Sequence, residues 1–364
     1  MAVTFKNYSI SNDIKRIFVI IPAAGLGTRM ETDTNKQLIE IAGVPVIERT
    51  LEAFSKFYEM LSKKNIVLKA VVVTNKDLVY KINSVVRYKK YTFVQNVVEG
   101  GDTRTESVWK GIEALSDLPF PPTDNDIVFI HDGARCLIDQ DTLLRCLEGA
   151  SKYDICAAAV PSKNTIKQIK TEDTAPVAKE EPKKEEADTD GLGKFEFRSS
   201  IFKNIFNKDD KDDDNSSENV PPIARRGNSL VNRHIEDEAP ASSPFKPFIP
   251  RKAEAEAPAK KGRPASEPEV ASTPKRDELM EVQTPQVFRY NKLLNSYVNG
   301  IKKNIEATDD LSLAEAMHYK AHLVEGSYSN IKITTPEDIA FAEALIKKQA
   351  EEEAAAAAEA ESQN

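Results

Sequence analysis

The sequence predicts an α/β fold with a mostly parallel sheet and helices on both of its faces. Between residues 15 and 170, short β-rich runs alternate with longer amphipathic stretches, the pattern of βαβ units around a parallel sheet. A glycine-rich segment follows the first run, and charged residues end a later one, as expected where such sheets bind ligands. The fold class is therefore Rossmann-like.

Each predicted element rests on a local signal. The runs with strand composition are 17–21, 70–74, 92–98, 127–131 and 155–160. After residue 277 we predict a helix at 291–298, strands at 322–324 and 331–334, and a final helix. Thr335 as N-cap, Pro336 at the first helical position and acidic Glu337 and Asp338 in the first turn mark the start of that helix.

A change of composition divides the chain. Residues 1–170 form the first part of the α/β core and residues 276–348 the second part. The intervening 171–275 are rich in Lys, Glu, Asp, Pro and Ser, too polar to offset the entropy of ordering, so we predict a disordered insertion. Its apolar islands at 195–206 and 245–249 suggest docking to an unknown protein. Residues 349–364 form an Ala/Glu-rich tail, read as a solvated helical extension.

Composition excludes several classes of protein. A hydrophobic content of 40% over 364 residues suffices for a core, and a formal net charge of -8 argues against a general nucleic-acid binder. Three cysteines (Cys136, Cys146, Cys156) are too few for a disulfide framework or a zinc site, so we expect a reducing compartment, the cytoplasm. No apolar run approaches the ~20 residues that cross a bilayer, so we expect no membrane insertion.

The sharpest motif follows the first strand. It reads Pro-Ala-Ala-Gly-Leu-Gly-Thr-Arg-Met at 22–30, with Asn-Lys-Gln at 35–37. Small residues there let backbone N–H groups approach a phosphate, and Arg29 and Lys36 add positive charge. The loop has neither P-loop spacing nor a full Gly-x-Gly-x-x-Gly fingerprint, which argues against an ATPase or a dehydrogenase. A bare structural turn is the alternative.

Two further blocks place polar residues after strands. In Gly-Gly-Asp-Thr-Arg-Thr-Glu-Ser-Val at 100–108, Thr103 and Glu106 fit a helix capping box, and Trp109 beyond it fits the core. The run at 127–131 continues into Asp132 and Arg135, which are site candidates because ligands bind at the carboxyl ends of strands. A capping Asp132 with a solvated Arg135 is the alternative. His131 is expected to pack at the strand end and not to act as a base.

These motifs together resemble those of the sugar-phosphate nucleotidyltransferases, and among them the 2-C-methyl-D-erythritol 4-phosphate cytidylyltransferases. Val-Pro-Ser-Lys-Asn-Thr-Ile-Lys at 160–167 and Asn-Ile-Lys-Ile-Thr-Thr-Pro-Glu-Asp at 330–338 extend the resemblance, as does Arg276, eight residues before Thr284. The sequence departs from the family pattern at four positions, namely Asn35, Gly133, Cys136 and Asn164. The resemblance covers about 16–170 and 276–347.

The resemblance implies a role for each matched residue. Arg29, Lys36 and Lys332 would stabilise the charge of a triphosphate, with Mg²⁺ held mainly by the phosphates and no metal site on the protein. The nucleotide would lie against Ala23, Ala24, Gly25, Gly27, Gly101, Asp102, Ser107 and Asp132. The acceptor would contact Asp132, Arg135, Thr165, Arg276 and Lys332. Because Thr165 and Arg276 belong to a protruding β-arm, they would serve the neighbouring subunit of a homodimer.

The implied reaction is cytidylyl transfer from CTP to 2-C-methyl-D-erythritol 4-phosphate in the non-mevalonate isoprenoid precursor pathway. Its products would be 4-diphosphocytidyl-2-C-methyl-D-erythritol and pyrophosphate. One alternative is a cytidylyltransferase for ribitol 5-phosphate or another polyol phosphate. A second is an inactive scaffold or interaction protein, against which the intact Arg29, Lys36, Asp132 and Lys332 argue.

Overall fold

The structure is a computed structural model that describes residues 3–5, 7–25, 27–30, 35–170, 268–305 and 307–362. The predicted disorder of the insertion and its two apolar islands lie outside these residues, except for the stretch from 268 to 275. Within the described ranges, no helix combines the length and the apolar character needed to span a membrane.

Thirteen strands and seven α-helices make up the described fold. The strands are β1 (Val3–Phe5), β2 (Tyr8–Ile10), β3 (Arg16–Ala23), β4 (Glu40–Ile41), β5 (Val44–Pro45), β6 (Val67–Thr74), β7 (Val94–Glu99), β8 (Ile127–Ile130), β9 (Ile155–Pro161), β10 (Gln168–Ile169), β11 (Val270–Ser272), β12 (Met280–Arg289) and β13 (His322–Glu325). The helices are α1 (Val46–Ser62), α2 (Lys76–Tyr88), α3 (Arg104–Ser116), α4 (Gln140–Tyr153), α5 (Tyr290–Lys302), α6 (Asp310–Ala316) and α7 (Pro336–Ser362).

The central sheet has seven strands in the order β13-β9-β12-β8-β3-β6-β7. Strand β12 runs antiparallel to both of its neighbours, and the other four pairings are parallel. The predicted α/β class with a mostly parallel sheet is therefore confirmed. Strands β3 and β8 read as continuous apolar runs because the sheet buries both of their faces, and Ile127–Ile130 is fully buried.

Most predicted elements have a counterpart, but the strand predicted at 331–334 is wrong. This segment has no strand partner, and a backbone hydrogen bond from the Ile333 N–H to the Ala134 carbonyl joins it to the loop after β8. The alternating Ile331 and Ile333 that suggested a strand instead pack into an apolar cluster with α7. The segment therefore packs against α7 without joining the sheet.

Strand β12 was missed by the sequence patterns. It is interrupted by Pro285 and carries the polar residues Gln283, Thr284 and Gln286, a composition that argues against a central strand. All four side chains are nevertheless buried, and the pairing with β9 shifts register between Val282 and Gln286. This irregular stretch brings three polar side chains beneath the sheet's carboxyl edge.

Strands β10 and β11 form a separate two-stranded ribbon whose residues are exposed. Strand β11 lies within the tract predicted to continue to residue 275. Its pairing partner β10 stands before that tract in the chain, so composition alone does not indicate the pairing. The two strands bring the start and the end of the insertion together.

Candidate active site

A cavity of about 600 Å³ opens at the carboxyl edge of the sheet. The segments after β3, β6, β7 and β8 surround it, and the segment before α7 closes one side. This is where ligands bind in open α/β sheets. The lining residues are Pro22, Ala24, Gly25, Gly27, Arg29, Lys36, Gln37, Asn75, Lys76, Glu99, Gly100, Gly101, Asp102, Thr103, Arg104, Ser107, Asp132, Ala134, Lys332 and Thr334.

The glycine loop after β3 makes room for the Lys36 side chain. Gly27 has a φ of 69°, which favours glycine, and a Cβ added there would lie 3.0 Å from the Lys36 Cβ. A Cβ on Gly25 would lie 3.6 Å from the Lys36 Nζ. The lysine therefore runs along the loop with its ammonium group beside Gly25. The loop that the sequence predicted to bind phosphate therefore lies against the ammonium group of Lys36.

Three predicted cations share the cavity. Arg29, Lys36 and Lys332 all line it, although Lys332 is about 300 residues away in the chain. Burial lowers the pKa of Lys36 from its ordinary value, and the positive charges of Lys332 and Arg29 lower it further. The fold thus holds like charges close enough to interact, which favours a bound polyanion.

Asp132 is the acidic group among these cations. Its side chain is nearly buried, with one oxygen 2.7 Å from the Lys332 Nζ and the other 3.4 Å from the Arg104 Nε. Burial alone would raise the pKa of this carboxyl, but the charges of Arg104 and Lys332 outweigh burial and hold the pKa well below its usual range. Asp132 is therefore ionised and fixes Lys332 at the cavity wall.

Arg104 is a site residue that the sequence patterns did not single out. It begins α3, and its two terminal nitrogens donate to the Asp310 carboxylate at 2.9 and 2.7 Å. Burial would lower the pKa of Arg104, but the charges of Asp310 and Asp132 raise it above its ordinary value. Arg104 lies within the block at 100–108, from which the sequence analysis took the capping box and Gly101, Asp102 and Ser107 but not the arginine.

The segment before α3 serves both the helix and the cavity. Thr103 and Glu106 form the predicted capping box, and Trp109 lies in the core. Gly101, Asp102 and Ser107 still line the cavity, and the Gly101 N–H donates to the Ser107 Oγ at 3.1 Å. A Cβ on Gly100 would lie 2.6 Å from the Ala24 Cβ, so only glycine allows this close approach of the two loops.

His131 supports the backbone near the site and is not placed to act as a general base. It is fully buried, its Nε2 lies 3.0 Å from the Arg135 carbonyl, and its Nδ1 lies 3.3 Å from the Thr284 Oγ1. The Asp132 N–H donates to that same Thr284 Oγ1 at 3.0 Å. Burial lowers the pKa of His131 to about 4, so a neutral ring bonds on both sides and fixes the chain around Asp132. The expectation of a packed strand-end residue is confirmed.

Four predicted contact residues do not line the cavity. Ala23 is buried in β3 because the strand continues through it, and Ala24 is the first residue of the loop at the cavity. Arg135 donates to the Asn330 carbonyl at 2.7 Å, behind Asp132. Thr165 and Arg276 are exposed at the base of the β10–β11 ribbon. Asn75, Lys76 and Glu99 also line the cavity but lie outside every motif that the sequence indicated.

No cluster of three or more His, Cys, Asp or Glu side chains suited to a metal ion occurs in the described part of the chain. Both oxygens of Asp132 face cations, and Asp310 is occupied by Arg104. Glu99 and Asp102 are the other carboxylates that line the cavity.

A sheet of this type, with a glycine loop and clustered cations at its carboxyl edge, is typical of enzymes that bind nucleotides. The family model for 2-C-methyl-D-erythritol 4-phosphate cytidylyltransferase matches residues 17–218 and 260–348. The chain belongs to this family. The match extends into the insertion from both sides, further than the sequence motifs indicated.

Relatives and solved structures agree with this assignment. The 2-C-methyl-D-erythritol 4-phosphate cytidylyltransferase of Clostridium novyi (strain NT) is 31% identical over 328 residues, which span 90% of this chain and 95% of the relative. The protein of that name from Alkaliphilus oremlandii (strain OhILAs) is 30% identical over 93% of this chain and 98% of its own length. The crystal structure of 4-diphosphocytidyl-2C-methyl-D-erythritol synthase from Anaerococcus prevotii DSM 20548 has a TM-score of 0.55 at 25% identity, covering 92% of this chain and 97% of that one.

The buried His131 predicts an acid-sensitive stability. The pKa of His131 is about 4 in the folded chain and about 6.5 when unfolded, so the unfolded state binds the proton more tightly. The contribution of His131 is fully present above about pH 6.5 and is lost as the pH falls towards 4, by up to ~3 kcal/mol. Urea unfolding across this range measures it. The variant His131→Gln should have a shallower dependence, and parallel curves for the two proteins would contradict the assignment.

Proposed function

We propose that this chain transfers the cytidylyl group of CTP to 2-C-methyl-D-erythritol 4-phosphate and releases pyrophosphate. The observation that carries the proposal is the convergence of Arg29, Lys36 and Lys332 on one cavity behind a glycine loop. Membership of the cytidylyltransferase family supplies the identity of the nucleotide and of the acceptor.

The reaction is an in-line displacement at phosphorus. An acceptor phosphate oxygen forms a bond to the α-phosphorus of CTP while the bond from that phosphorus to the bridging oxygen breaks, and pyrophosphate leaves with the bonding electrons. No proton transfer or covalent enzyme intermediate is required. The chain contributes by positioning two anions and neutralising their charge, which dominates catalysis of phosphoryl and nucleotidyl transfer.

The roles of the cations follow from their places. Lys36 and Arg29 stand at the glycine loop and face the triphosphate, where they offset charge on the α-phosphoryl and leaving groups. Lys332 is held by Asp132 at the cavity wall, where it would meet the incoming acceptor phosphate. Like charges held close in a partly buried site interact more strongly with an anion than they would in water.

The nucleoside half of CTP occupies the other end of the cavity. Gly100 and Gly101 let this segment pack against Ala24 and Glu106 without a Cβ between them, and Asp102 and Ser107 offer polar groups at the cavity. We assign cytosine and ribose recognition to this segment.

Magnesium would enter with the nucleotide. Mg²⁺ prefers phosphate and carboxylate oxygens and keeps several waters, so a triphosphate suits it better than a protein cage. Asp132 is already paired with Arg104 and Lys332, which leaves Glu99 and Asp102 as the carboxylates available to an ion held mainly by phosphates. When bound, the ion would supply further neutralisation of phosphate charge.

A panel of acceptors and nucleotides tests the proposed activity. Pyrophosphate release should be fast with CTP and 2-C-methyl-D-erythritol 4-phosphate, and slow when ribitol 5-phosphate, ATP or UTP replaces the matching partner. Faster release with ribitol 5-phosphate would assign the chain to the alternative acceptor. No release with any pair, from a protein that is folded, would leave the inactive scaffold as the interpretation.

We also propose a homodimer in which the β10–β11 ribbon reaches the neighbouring site. Thr165 and Arg276 stand apart from the cavity of their own subunit, although the family resemblance gives them contacts with the acceptor. Apolar side chains around the ribbon are exposed and would be covered by a second copy of the chain. These residues are Ile166, Ile169, Val270, Met280 and Val282, each between 38% and 50% exposed.

Mixing two inactive variants tests the shared site. Lys36→Ala should lower turnover by about 100-fold or more, because a cation facing the transition state is lost. Arg276→Ala should be inactive for want of the acceptor contact. A mixed dimer contains one site with Lys36 and Arg276 both intact, so unfolding and refolding the two variants together should restore up to a quarter of wild-type activity, since about half of the dimers are mixed and each has one working site of two.

The matched control is Lys63→Ala, an exposed residue just after α1, which should keep full activity. A mixture no more active than the separate variants would contradict sharing between subunits, as would a wild-type protein that is active as a monomer by light scattering.

A further inference from the structure

Arg104 contacts two carboxylates unequally. Its terminal nitrogens donate to the two oxygens of Asp310 at 2.9 and 2.7 Å, a bidentate pair. Its Nε lies 3.4 Å from Asp132, near the limit of a hydrogen bond. Asp310 therefore holds the guanidinium by its fork, and Asp132 receives only a long contact from the remaining nitrogen.

Asp310 is fixed from behind by a buried network. Its side chain is fully buried, and the Tyr297 hydroxyl donates to the oxygen that also accepts from Arg104. The Gln286 side-chain oxygen accepts from the Asp310 and Leu311 N–H groups at 2.9 and 3.0 Å. The carboxylate can move little, so the position of the Arg104 fork is set by α6 and β12.

The consequence falls on Asp132 and Lys332. Because Asp310 occupies both terminal nitrogens of Arg104, the Oδ2 of Asp132 is left to pair with Lys332. The distance from this oxygen to the Lys332 Nζ is 2.7 Å. Without Asp310, the nearest carboxylate for the fork is Asp132, because the guanidinium already faces it. A bidentate pair there would use both Asp132 oxygens and release Lys332 from the cavity wall.

We propose that Asp310 is a positioning residue that restrains Arg104, so that Asp132 remains free to hold Lys332 for the acceptor. The inference rests on the proposed cytidylyl transfer. It explains why a buried aspartate, remote from the cavity surface, is linked through one arginine to the only carboxylate that contacts Lys332 in the described structure.

The test compares Asp310→Asn, Arg104→Gln and the double variant R104Q/D310N in steady-state assays with both substrates saturating. D310N should lower kcat by about 100-fold, the size expected when a reacting group is displaced by about an ångström. The KM for CTP should change far less, since Arg29 and Lys36 are untouched. R104Q/D310N lacks the arginine that captures Asp132, so its kcat should exceed that of D310N by about tenfold.

Two controls separate positioning from general stability. Asp139→Ala removes the N-cap of α4, whose side chain accepts from the Thr142 N–H, and should lower the unfolding temperature without lowering kcat. Tyr297→Phe removes one hydrogen bond to Asp310 but leaves its charge pair with Arg104, and should keep most of kcat.

Each outcome decides the proposal. A folded D310N with wild-type kcat, or a double variant no faster than D310N, overturns it. Should D310N fail to fold, the neutral double variant carries the test alone: kcat within about tenfold of wild type supports the proposal, and a loss as large as that of Lys332→Ala refutes it. A wild-type protein without pyrophosphate release would instead refute the proposed function. Failure of the proposed function and failure of the role of Asp310 therefore give different results.

Discussion

Mutual repulsion among the cavity's cations is the constraint on which the site depends. Arg29, Lys36 and Lys332 face one space, and burial, together with the charges of Lys332 and Arg29, lowers the pKa of Lys36. In the sequence, a buried apolar residue comes directly after each of two of these cations. Met30 after Arg29 and Ile333 after Lys332 belong to one cluster with Ile41, Val46, Cys136, Leu137 and Ala342. Packing of this cluster with α7 therefore offsets the repulsion and keeps the cations ready for a polyanion.

The antiparallel strand β12 connects the two halves of the site. Its Thr284 hydroxyl supports the Asp132 backbone and the His131 ring, and its Gln286 amide supports the start of α6. Both positions lie in the stretch where the pairing with β9 is irregular. A regular apolar strand would give the sheet the same order but would leave Asp132 and Asp310 without these supports. The chain after the insertion thus completes a site whose first residues stand more than two hundred positions earlier.

The sequence predicted the local parts of this arrangement and missed its long-range parts. Residues that are close in the chain determine the glycine loop, the capping box at Thr103 and the apolar strands. Their periodicity and spacing can therefore be seen in the sequence. Strand β12 was missed because its proline and polar residues resemble a loop. The strand predicted at 331–334 was wrong, because alternation does not distinguish pairing in a sheet from packing against α7. Arg104 was overlooked because its importance comes from Asp310, which lies about two hundred residues away.

The ionisation of Lys36 tests most directly whether these cations form a site for a triphosphate. NMR titration of isotope-labelled lysine side chains, with Lys36 assigned from the spectrum of Lys36→Arg, measures its pKa with and without CTP. The pKa should lie below the ordinary lysine value in the free protein, because of burial and the charges of Lys332 and Arg29, and should rise when CTP binds. An ordinary pKa that CTP does not change would contradict the account.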